Sequence, residues 1–331
     1  MVGMRSSFLW LLAALAGLAA AGPLLAPHSP SHQFTDFIHA PPMLPRVVGP
    51  DGRLRAPFVY PLRLESRLER RYTEDRTRPM PIAWLSAGAV FSVAPSVDAP
   101  WFPLGTDALG RDVLSRLLHG ARVSLGVAMV SAVGALLLGV IAGSLAGVAG
   151  SLVDEAVMRA AEFVIALPAI YVVLALRSAL PLVLSPPAVF WTMVGVFALV
   201  GWPLAARGVR AIVSREMGKE YAEAARSIGA SGTRLLLHHL LPATRGFLLT
   251  QATLLIPAFI LAEATLSFVG LGFGEPTPSW GVMLQEAGRG PILAEAPWLM
   301  APAAAIVLVV LTVNSVASGA TAVPFRRTDP T

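Results

Sequence analysis

The chain has 331 residues, of which 55% are hydrophobic and only 14% are charged. Soluble domains carry about 25% charged residues, and a water-soluble fold cannot cover this much apolar surface, whereas a bilayer solvates it directly. The formal net charge of +5 is too small to indicate a nucleic-acid partner, and the lack of cysteine excludes disulfides and thiolate metal sites. The composition therefore predicts a membrane protein in contact with lipid.

Six apolar stretches are long enough to cross the hydrocarbon core as helices, which takes about 20 residues each. In chain order they are residues 8–26, 123–150, 156–184, 188–206, 246–272 and 296–323. The predicted fold class is thus all-α, a polytopic membrane protein with about six transmembrane helices. Pro168, Pro257 and Pro302 lie inside the third, fifth and sixth stretches and predict kinks there.

The first stretch, residues 8–26, has an alternative interpretation as the apolar part of a secretory signal. Ala19 and Ala21 offer small residues for cleavage, but Arg5 is the only positive charge before the stretch. An uncleaved transmembrane helix over residues 1–26 is the favoured interpretation. Both interpretations deliver the following segment to the same side of the membrane.

The distribution of positive charge predicts the orientation, because lysine and arginine stay on the cytoplasmic side. Residues 207–245 hold seven lysines and arginines against three glutamates, so this loop and both termini are predicted to be cytoplasmic. Residues 27–103 and 274–295 are then outside. The segment 27–103 has nine arginines, but it is long and seven acidic residues nearly balance them. The predicted organisation is an N-terminal helix (1–26), an extracytoplasmic insert (27–103), an interfacial segment (104–122), a five-helix core (123–323) and a cytoplasmic tail (324–331).

A polar stretch, EYAEAARSIGASGTRLLLHHLLP, covers residues 220–242 between two predicted spans. Helix-forming residues run to Ile228, Gly229 breaks the helix, and Ser231 is placed to cap a second helix that ends before Pro242. We expect Ala225 to lie on the face that contacts a partner, because its small side chain permits close approach. A surface loop with merely helical propensity is the alternative.

The same stretch resembles the EAA loop of ABC importer permeases, in which EAA is followed by a glycine and a terminal Leu-Pro. The residues on the motif positions are Glu223, Ala224, Ala225, Gly229, Leu241 and Pro242. The resemblance implies that residues 207–245 form a coupling loop, which docks into a groove of a cytoplasmic ATPase.

A second motif, GTDALGRD at residues 105–112, resembles the segment before the second span in the dipeptide/oligopeptide/nickel permease family. Its motif residues are Gly105, Thr106, Asp107, Gly110, Arg111 and Asp112. As an interfacial element it predicts Thr106 or Asp107 as the cap of a short helix, with Arg111, Asp112 and Arg116 facing water.

Two further stretches resemble the same family: VDEAVMRAAEFVIALPAI at residues 153–170 and EATLSFVGLGFGEPTPSWGVMLQEA at residues 263–287. The resemblance covers about residues 104–314 and favours the C-type of the family's two permease subunits. The last span departs from the family pattern, because NSVASGATAV follows where an acidic-and-arginine tail is usual. The insert 27–103 exceeds the usual spacer and is interpreted as a small outer cap, since its histidines lack a metal-ligand set.

Glu263 is the one charged residue inside the fifth predicted span. An ionisable residue in a membrane interior is a functional candidate, here lining a pathway or pairing across a dimer. A helix–helix hydrogen bond or interfacial snorkelling remains the alternative.

The resemblance implies the permease subunit of a binding-protein-dependent ABC importer of a bacterial-type inner membrane, with peptides as the leading substrate class. Its implied partners are a second permease subunit, two ATPase subunits, an extracytoplasmic solute-binding protein and membrane lipid. No cofactor is expected on this chain, because ATP and Mg²⁺ belong to the ATPase subunits, and it is not expected to be an enzyme. An importer of nickel or another small solute is the alternative within the class. An ion-driven secondary transporter is the alternative outside it, and predicts inverted repeats and midplane charges that the sequence does not display.

Overall fold

The structure is a computed structural model of the chain. It describes residues 2–49, 53–67, 69–86, 89–93, 99–179, 181, 184–288 and 292–321. The predicted tail, residues 324–331, lies outside the described residues.

Helices dominate the described chain. The α-helices are α1 (Val2–Leu25), α2 (Val113–Val148), α3 (Ser151–Ala166), α4 (Ala169–Ser178), α5 (Pro186–Met217), α6 (Glu220–Ser227), α7 (Gly232–Leu235), α8 (Leu241–Phe268), α9 (Trp280–Ala287), α10 (Ile292–Glu295) and α11 (Ala301–Thr321). A π-helix over Leu236–Leu240 joins α7 to α8, and a 3₁₀-helix over Pro297–Met300 leads into α11.

Four described helical segments are long and apolar enough to cross a membrane: Val113–Val148, Pro186–Met217, Gly232–Phe268 and Pro297–Val316. The pair α3 and α4 makes a fifth if its two parts form one span. Helix α1 has 24 residues, and its apolar part, Ala13–Leu25, is shorter than a span. The predicted polytopic helical membrane protein is confirmed, while the number six stays a prediction.

The predicted kink at Pro168 is confirmed. Helices α3 and α4 are bent by 91° at the break between them, and Pro168 is the N-cap of α4 with an extended backbone. Proline lacks the N–H that would continue the hydrogen-bond ladder, so one helix ends and another begins. The expected single span 156–184 is therefore a bent pair.

The boundaries of the predicted loop 207–245 are wrong at its start. Helix α5 continues to Met217, so the first part of the segment belongs to a membrane-span helix. The second short helix also does not end before Pro242, because the π-helix leads directly into α8. The N–H of Leu241 bonds to the carbonyl of Leu236, five residues back, and the following Pro242 has no N–H to donate.

The insert 27–103 contains β-structure, which the all-α prediction did not include. The strands are β1 (Arg46–Val48), β2 (Leu54–Val59), β3 (Leu62–Ser66), β4 (Arg71–Glu74), β5 (Met80–Ser86) and β6 (Ala89–Val93). One antiparallel sheet has the order β1-β2-β5-β6, and β3 pairs with β4 in a second. The buried residues Met43, Val59, Trp101 and Phe102 form a core under these strands. The insert is thus a folded segment with its own small core.

The chain forms two compact units. The first comprises Val127–Ala262 with residues from both chain ends, and the second comprises Ala13–Gly126 and Glu263–Val307. In the first unit, α2 packs closely on α5 through a stripe of glycines at Gly139, Gly143 and Gly147. A Cβ at Gly139 would lie 2.4 Å from the Cβ of Ala205. Small residues at this spacing let two helix backbones approach closely.

Candidate functional sites

The polar stretch 220–242 folds as predicted around Gly229. Helix α6 ends in a Schellman motif, in which the N–H of Ala230 bonds to the Ala225 carbonyl and that of Gly229 to the Arg226 carbonyl. Gly229 has φ +87°, a conformation that a residue with a Cβ adopts only with strain. The predicted cap is also confirmed, because the Ser231 hydroxyl accepts the N–H of Arg234 at 3.3 Å.

One face of α6 packs on the chain itself. Ala222 and Ala225 join Val209, Val213, Leu235 and Leu240 in a buried cluster. The prediction that Ala225 lies on a partner-contact face is therefore wrong, because the two small side chains permit close approach to α5 and α7 instead.

The other face of α6 is exposed, and it is here called the loop face: Glu223, Ala224, Arg226 and Ile228. Ile228 is 88% exposed at the tip of the loop. An apolar side chain this exposed beside charged groups is suited to a partner surface, although single exposed apolar residues are common. Sequence reasoning missed Ile228, whose signal was an apolar residue at the helix end before the turn glycine.

The two glycines of GTDALGRD are required by the backbone. Gly105 and Gly110 have φ +73° and +72°. A Cβ would lie 2.6 Å from the Ala40 carbonyl oxygen at Gly105, and 2.1 Å from that of Phe34 at Gly110. The insert therefore lies directly against this motif.

Thr106 and Asp112 bond to backbone on either side of the motif. The Thr106 hydroxyl accepts the N–H of Ala40 at 2.7 Å and donates to the carbonyl of Phe37. Asp112 accepts the N–H of Ser115 at 3.0 Å and thereby caps α2. The cap is thus Asp112, and the prediction of Thr106 or Asp107 in that role is wrong.

Asp107 organises the turn between these residues. One carboxylate oxygen accepts the N–H groups of Leu109 and Arg111, each at 2.9 Å. The other oxygen accepts from the guanidinium of Arg111 at 2.6 Å. A carboxylate that bonds to backbone two and four residues ahead fixes a tight turn.

Five charged side chains meet around this turn, here called the arginine–carboxylate network: Asp107, Arg111, Arg116, Glu275 and Glu286. Arg111 bonds to Glu275 at 2.6 Å and to Glu286 at 3.1 Å. Arg116 bonds to the second oxygen of Glu275 at 2.9 Å. The segment before α2 is thus joined to the segment that follows α8.

The network displaces the pKa values of its members. Burial alone would lower the pKa of Arg111, but Asp107 and Glu275 outweigh it and raise that pKa. Burial would raise the pKa of Glu275, yet the bonds and charges of Arg116 and Arg111 hold it below its ordinary value. For Glu286, burial and the charge of Asp107 raise the pKa against the opposing effect of the arginines.

The expectation that Arg111, Asp112 and Arg116 face water is wrong. Their exposed fractions are 3%, 0% and 0%. Sequence reasoning placed them at an interface because charge next to a span is usually solvated. Glu275 and Glu286, the partners of the two arginines, lie more than 150 residues later in the chain. The two acidic residues of the stretch EPTPSWGVMLQE, residues 275–286, were the available signal.

Glu263 is fully buried and is held by serine hydroxyls. Its two oxygens accept from Ser124 at 2.6 Å and from Ser267 at 2.8 Å, and Ser279 is a third partner. Ser124 itself accepts the N–H of Trp280 at 3.1 Å. Each hydroxyl that accepts a backbone N–H has its single proton free for Glu263. These contacts fit the interhelical alternative, and the pathway role stays a prediction.

The segment that follows α8, residues 269–281, is held close to Glu263 by two glycines. At Gly272 a Cβ would lie 2.1 Å from the hydroxyl of Ser267, and at Gly281 it would lie 2.6 Å from the Ala264 carbonyl oxygen. Trp280 is buried beside them, and its ring N–H bonds to the Leu117 carbonyl at 3.1 Å. The PTPSWG stretch therefore folds back over α8.

No group of three His, Asp or Glu side chains close enough to hold a metal ion occurs among the described residues. The described sites consist of one exposed polar helix and two buried polar clusters. The exposed helix is suited to a partner, while the clusters tie loops to helix ends.

Comparison with known proteins gives the family. Residues 135–329 match the family model described as binding-protein-dependent transport system inner membrane component. The di/tripeptide transport system permease protein DppC of Pseudomonas aeruginosa (strain UCBPP-PA14) is 33% identical over 298 residues, which is 90% of this chain and 79% of that protein. The dipeptide transport system permease protein DppC of Bacillus subtilis (strain 168) is 40% identical over 229 residues, 69% of this chain and 68% of that protein.

Among solved structures, a chain of the MetNI methionine ABC transporter in an inward-facing conformation aligns with 62% of this chain and 96% of its own length. The TM-score is 0.46 and the identity 18%, which is too distant to add to the assignment. The family match and the relatives are sufficient, because the match spans more than half of the chain and one relative covers nine tenths of it. The chain belongs to the binding-protein-dependent transport system inner membrane components, and it is a permease subunit of an ABC importer.

Proposed function

We propose that this permease subunit imports peptides, with a second permease subunit that completes the translocation pathway. The relatives named for di/tripeptide and dipeptide transport support this substrate class. A binding protein on the outer side would deliver the peptide, as the family description suggests. The chain itself would hydrolyse nothing, since ATP and Mg²⁺ would be held by two partner ATPase subunits.

The orientation in this proposal follows the charge distribution. The polar stretch 220–242 and both chain ends would lie in the cytoplasm, and the insert 27–103 with residues 274–295 would lie outside. In that orientation the loop face meets the ATPase, while the arginine–carboxylate network and the folded insert are on the binding-protein side.

The observation that carries the coupling role is the division of α6 into two faces. Ala222 and Ala225 fix the helix to α5, and Ile228 is left 88% exposed. A docking helix must be held rigidly by its own subunit and present free groups to its partner. ATP-driven closure of the ATPase pair would then move α6, and α6 would move the spans to which it is packed.

Glu263 has a different part in this proposal. Three serine hydroxyls donate to its carboxylate. We therefore expect it to hold α8 to the segment that follows it, residues 269–281, rather than to bind the peptide. The motif 105–112 has the same kind of role at the start of α2.

The test is Ile228→Glu, which places a charge at the proposed contact and leaves the buried face of α6 intact. We expect roughly thirtyfold weaker retention of the ATPase, as for loss of a contact worth about 2 kcal/mol. ATP-dependent uptake of a labelled dipeptide should fall with it. Co-purification from detergent and uptake into membrane vesicles measure the two effects.

The matched control is Leu54→Glu, an equally drastic change at a residue that is 82% exposed in the insert. This variant should retain the ATPase like the wild type. Full retention and uptake in Ile228→Glu would refute the coupling role. A wild-type complex that transports Ni²⁺ and no peptide would refute the substrate class.

A further inference from the structure

One buried carboxylate in the first unit belongs to none of the motifs. Glu216 lies at the end of α5, and only 7% of its side chain is exposed. Burying a carboxylate is unfavourable unless hydrogen-bond donors surround it. The donors to Glu216 therefore show which elements its burial joins.

Three donors from consecutive elements meet at this carboxylate. Lys219, in the link between α5 and α6, donates to it at 2.9 Å. Tyr221, in the first turn of α6, donates its hydroxyl at 3.0 Å, and Arg215 on α5 donates at 3.2 Å. Both carboxylate oxygens are used, and the Lys219 amine is 2.8 Å from the second one.

Tyr221 remains a donor under ordinary conditions. Burial and the hydrogen bond to Glu216 raise the pKa of this phenol, so its proton stays in place. The bond to Glu216 is thus a charge-assisted one, which is stronger than a bond between neutral groups.

Helix α5, which carries Glu216, is attached firmly to other helices of the same unit. Arg210 forms a two-point ion pair with Asp154 of α3, with one contact at 2.8 Å. The glycine stripe of α2 contacts α5 along three turns, and a Cβ at Gly147 would lie 2.8 Å from Val213. Movement of α5 therefore moves α2 and α3, because packed helices do not slide freely.

We infer that Glu216 is the joint that transmits movement of the docking helix α6 to the spans, acting as a positioning residue. The inference rests on the proposed coupling function. Between Met217 and Glu220 the backbone leaves the helical path, so the corner has no continuous helix to keep it stiff. The side-chain bonds from Glu216 across this corner supply that stiffness.

The experiment compares Glu216→Gln with Tyr221→Phe in the assembled transporter. An amide nitrogen cannot accept hydrogen bonds, so Glu216→Gln leaves one acceptor oxygen for three donors and removes the negative charge that attracts Lys219. Tyr221→Phe removes one hydroxyl at a side chain that is already partly exposed. Peptide molecules taken up per ATP hydrolysed should fall roughly tenfold in Glu216→Gln, as for loss of one hydrogen bond to a charged group. The fall should be smaller in Tyr221→Phe, and ATPase co-purification should persist in both.

The matched control is Glu162→Gln on α3, where the carboxylate is 52% exposed and pairs only at the surface with Arg159. It should transport with the wild-type ratio. A lower yield of complex with an unchanged ratio of uptake to hydrolysis would mean a merely structural role and would overturn the inference. Unchanged yield and ratio would overturn it as well. If the wild-type permease itself retains no ATPase, the proposed function fails first and the inference with it.

Discussion

The loop 220–242 and the segment 105–116 both carry charged motifs next to membrane spans, yet the fold treats them in opposite ways. The loop leaves Glu223 and Arg226 exposed, with Ile228 at its tip. In the segment 105–116, Arg111 and Arg116 are buried among three carboxylates. Exposed charge leaves a surface free for a partner, whereas buried and paired charge fixes one geometry of its own chain. Charged motifs next to a span thus leave a free surface in one region and brace the chain internally in the other.

The largest expected difference between the two regions is in the loss of stability when one arginine is removed from each. Arg111→Met leaves the buried Asp107 and the partly buried Glu286 without their closest cation, so we expect a loss of about 3–5 kcal/mol in stability. Arg226→Met removes an exposed charge and should change stability by less than about 0.5 kcal/mol. Thermal unfolding of the purified permease in detergent measures both. Equal effects of the two substitutions would contradict the comparison.

A second test concerns Glu263 and its serines. Glu263→Gln replaces one acceptor oxygen by an amide nitrogen that faces hydroxyl donors, which should cost about 1–3 kcal/mol of stability. If Glu263 holds the segment 269–281 in place, Ser267→Ala should also destabilise the protein, by a smaller amount. If it lines the pathway instead, Glu263→Gln should abolish uptake while Ser267→Ala and unfolding temperature stay at wild-type values. Unfolding temperature and dipeptide uptake, measured on the same preparations, separate the two roles.

The smallest expected effect is on the pH dependence of stability, and it has opposite signs at Glu275 and Glu286. The pKa of Glu275 is lowered on folding, so its contribution is present above its ordinary pKa of about 4.3 and is lost as the pH falls through the lowered value. The pKa of Glu286 is raised, so its contribution is present below about 4.3 and is lost as the pH rises through the raised value.

Glu275→Gln should therefore make stability less dependent on pH below about pH 4.3, and Glu286→Gln should do the same above about pH 4.3. Unfolding temperatures between about pH 3 and pH 7 give the two profiles. The control is Glu155→Gln at an exposed position of α3, which should follow the wild type. Profiles that change in the same direction for both network variants would show that the two carboxylates do not experience different environments.

Part of the fold could be predicted from the sequence because local chemistry decides it. Apolar stretches of membrane length gave the long helices, Pro168 gave the bend between α3 and α4, and Gly229 with Ser231 gave the turn and cap in the loop. Each of these features depends on residues within a few positions of one another. Family motifs likewise identified the segments, since they are runs of adjacent residues.

Tertiary structure alone decided which side of each motif is buried. Two of the three carboxylate partners of Arg111 are 164 and 175 residues away, and those of Glu263 include Ser124, 139 residues earlier. Ala225 was expected to face a partner, but a small side chain favours close approach to any surface, and the nearest surface is its own α5. The strands of the insert were also missed, because short strands at a polar surface have a weak sequence pattern that pairing completes. The long apolar helices and the turns between them were therefore determined by the sequence itself. The burial of charged side chains depended on contacts between segments that are distant in the chain.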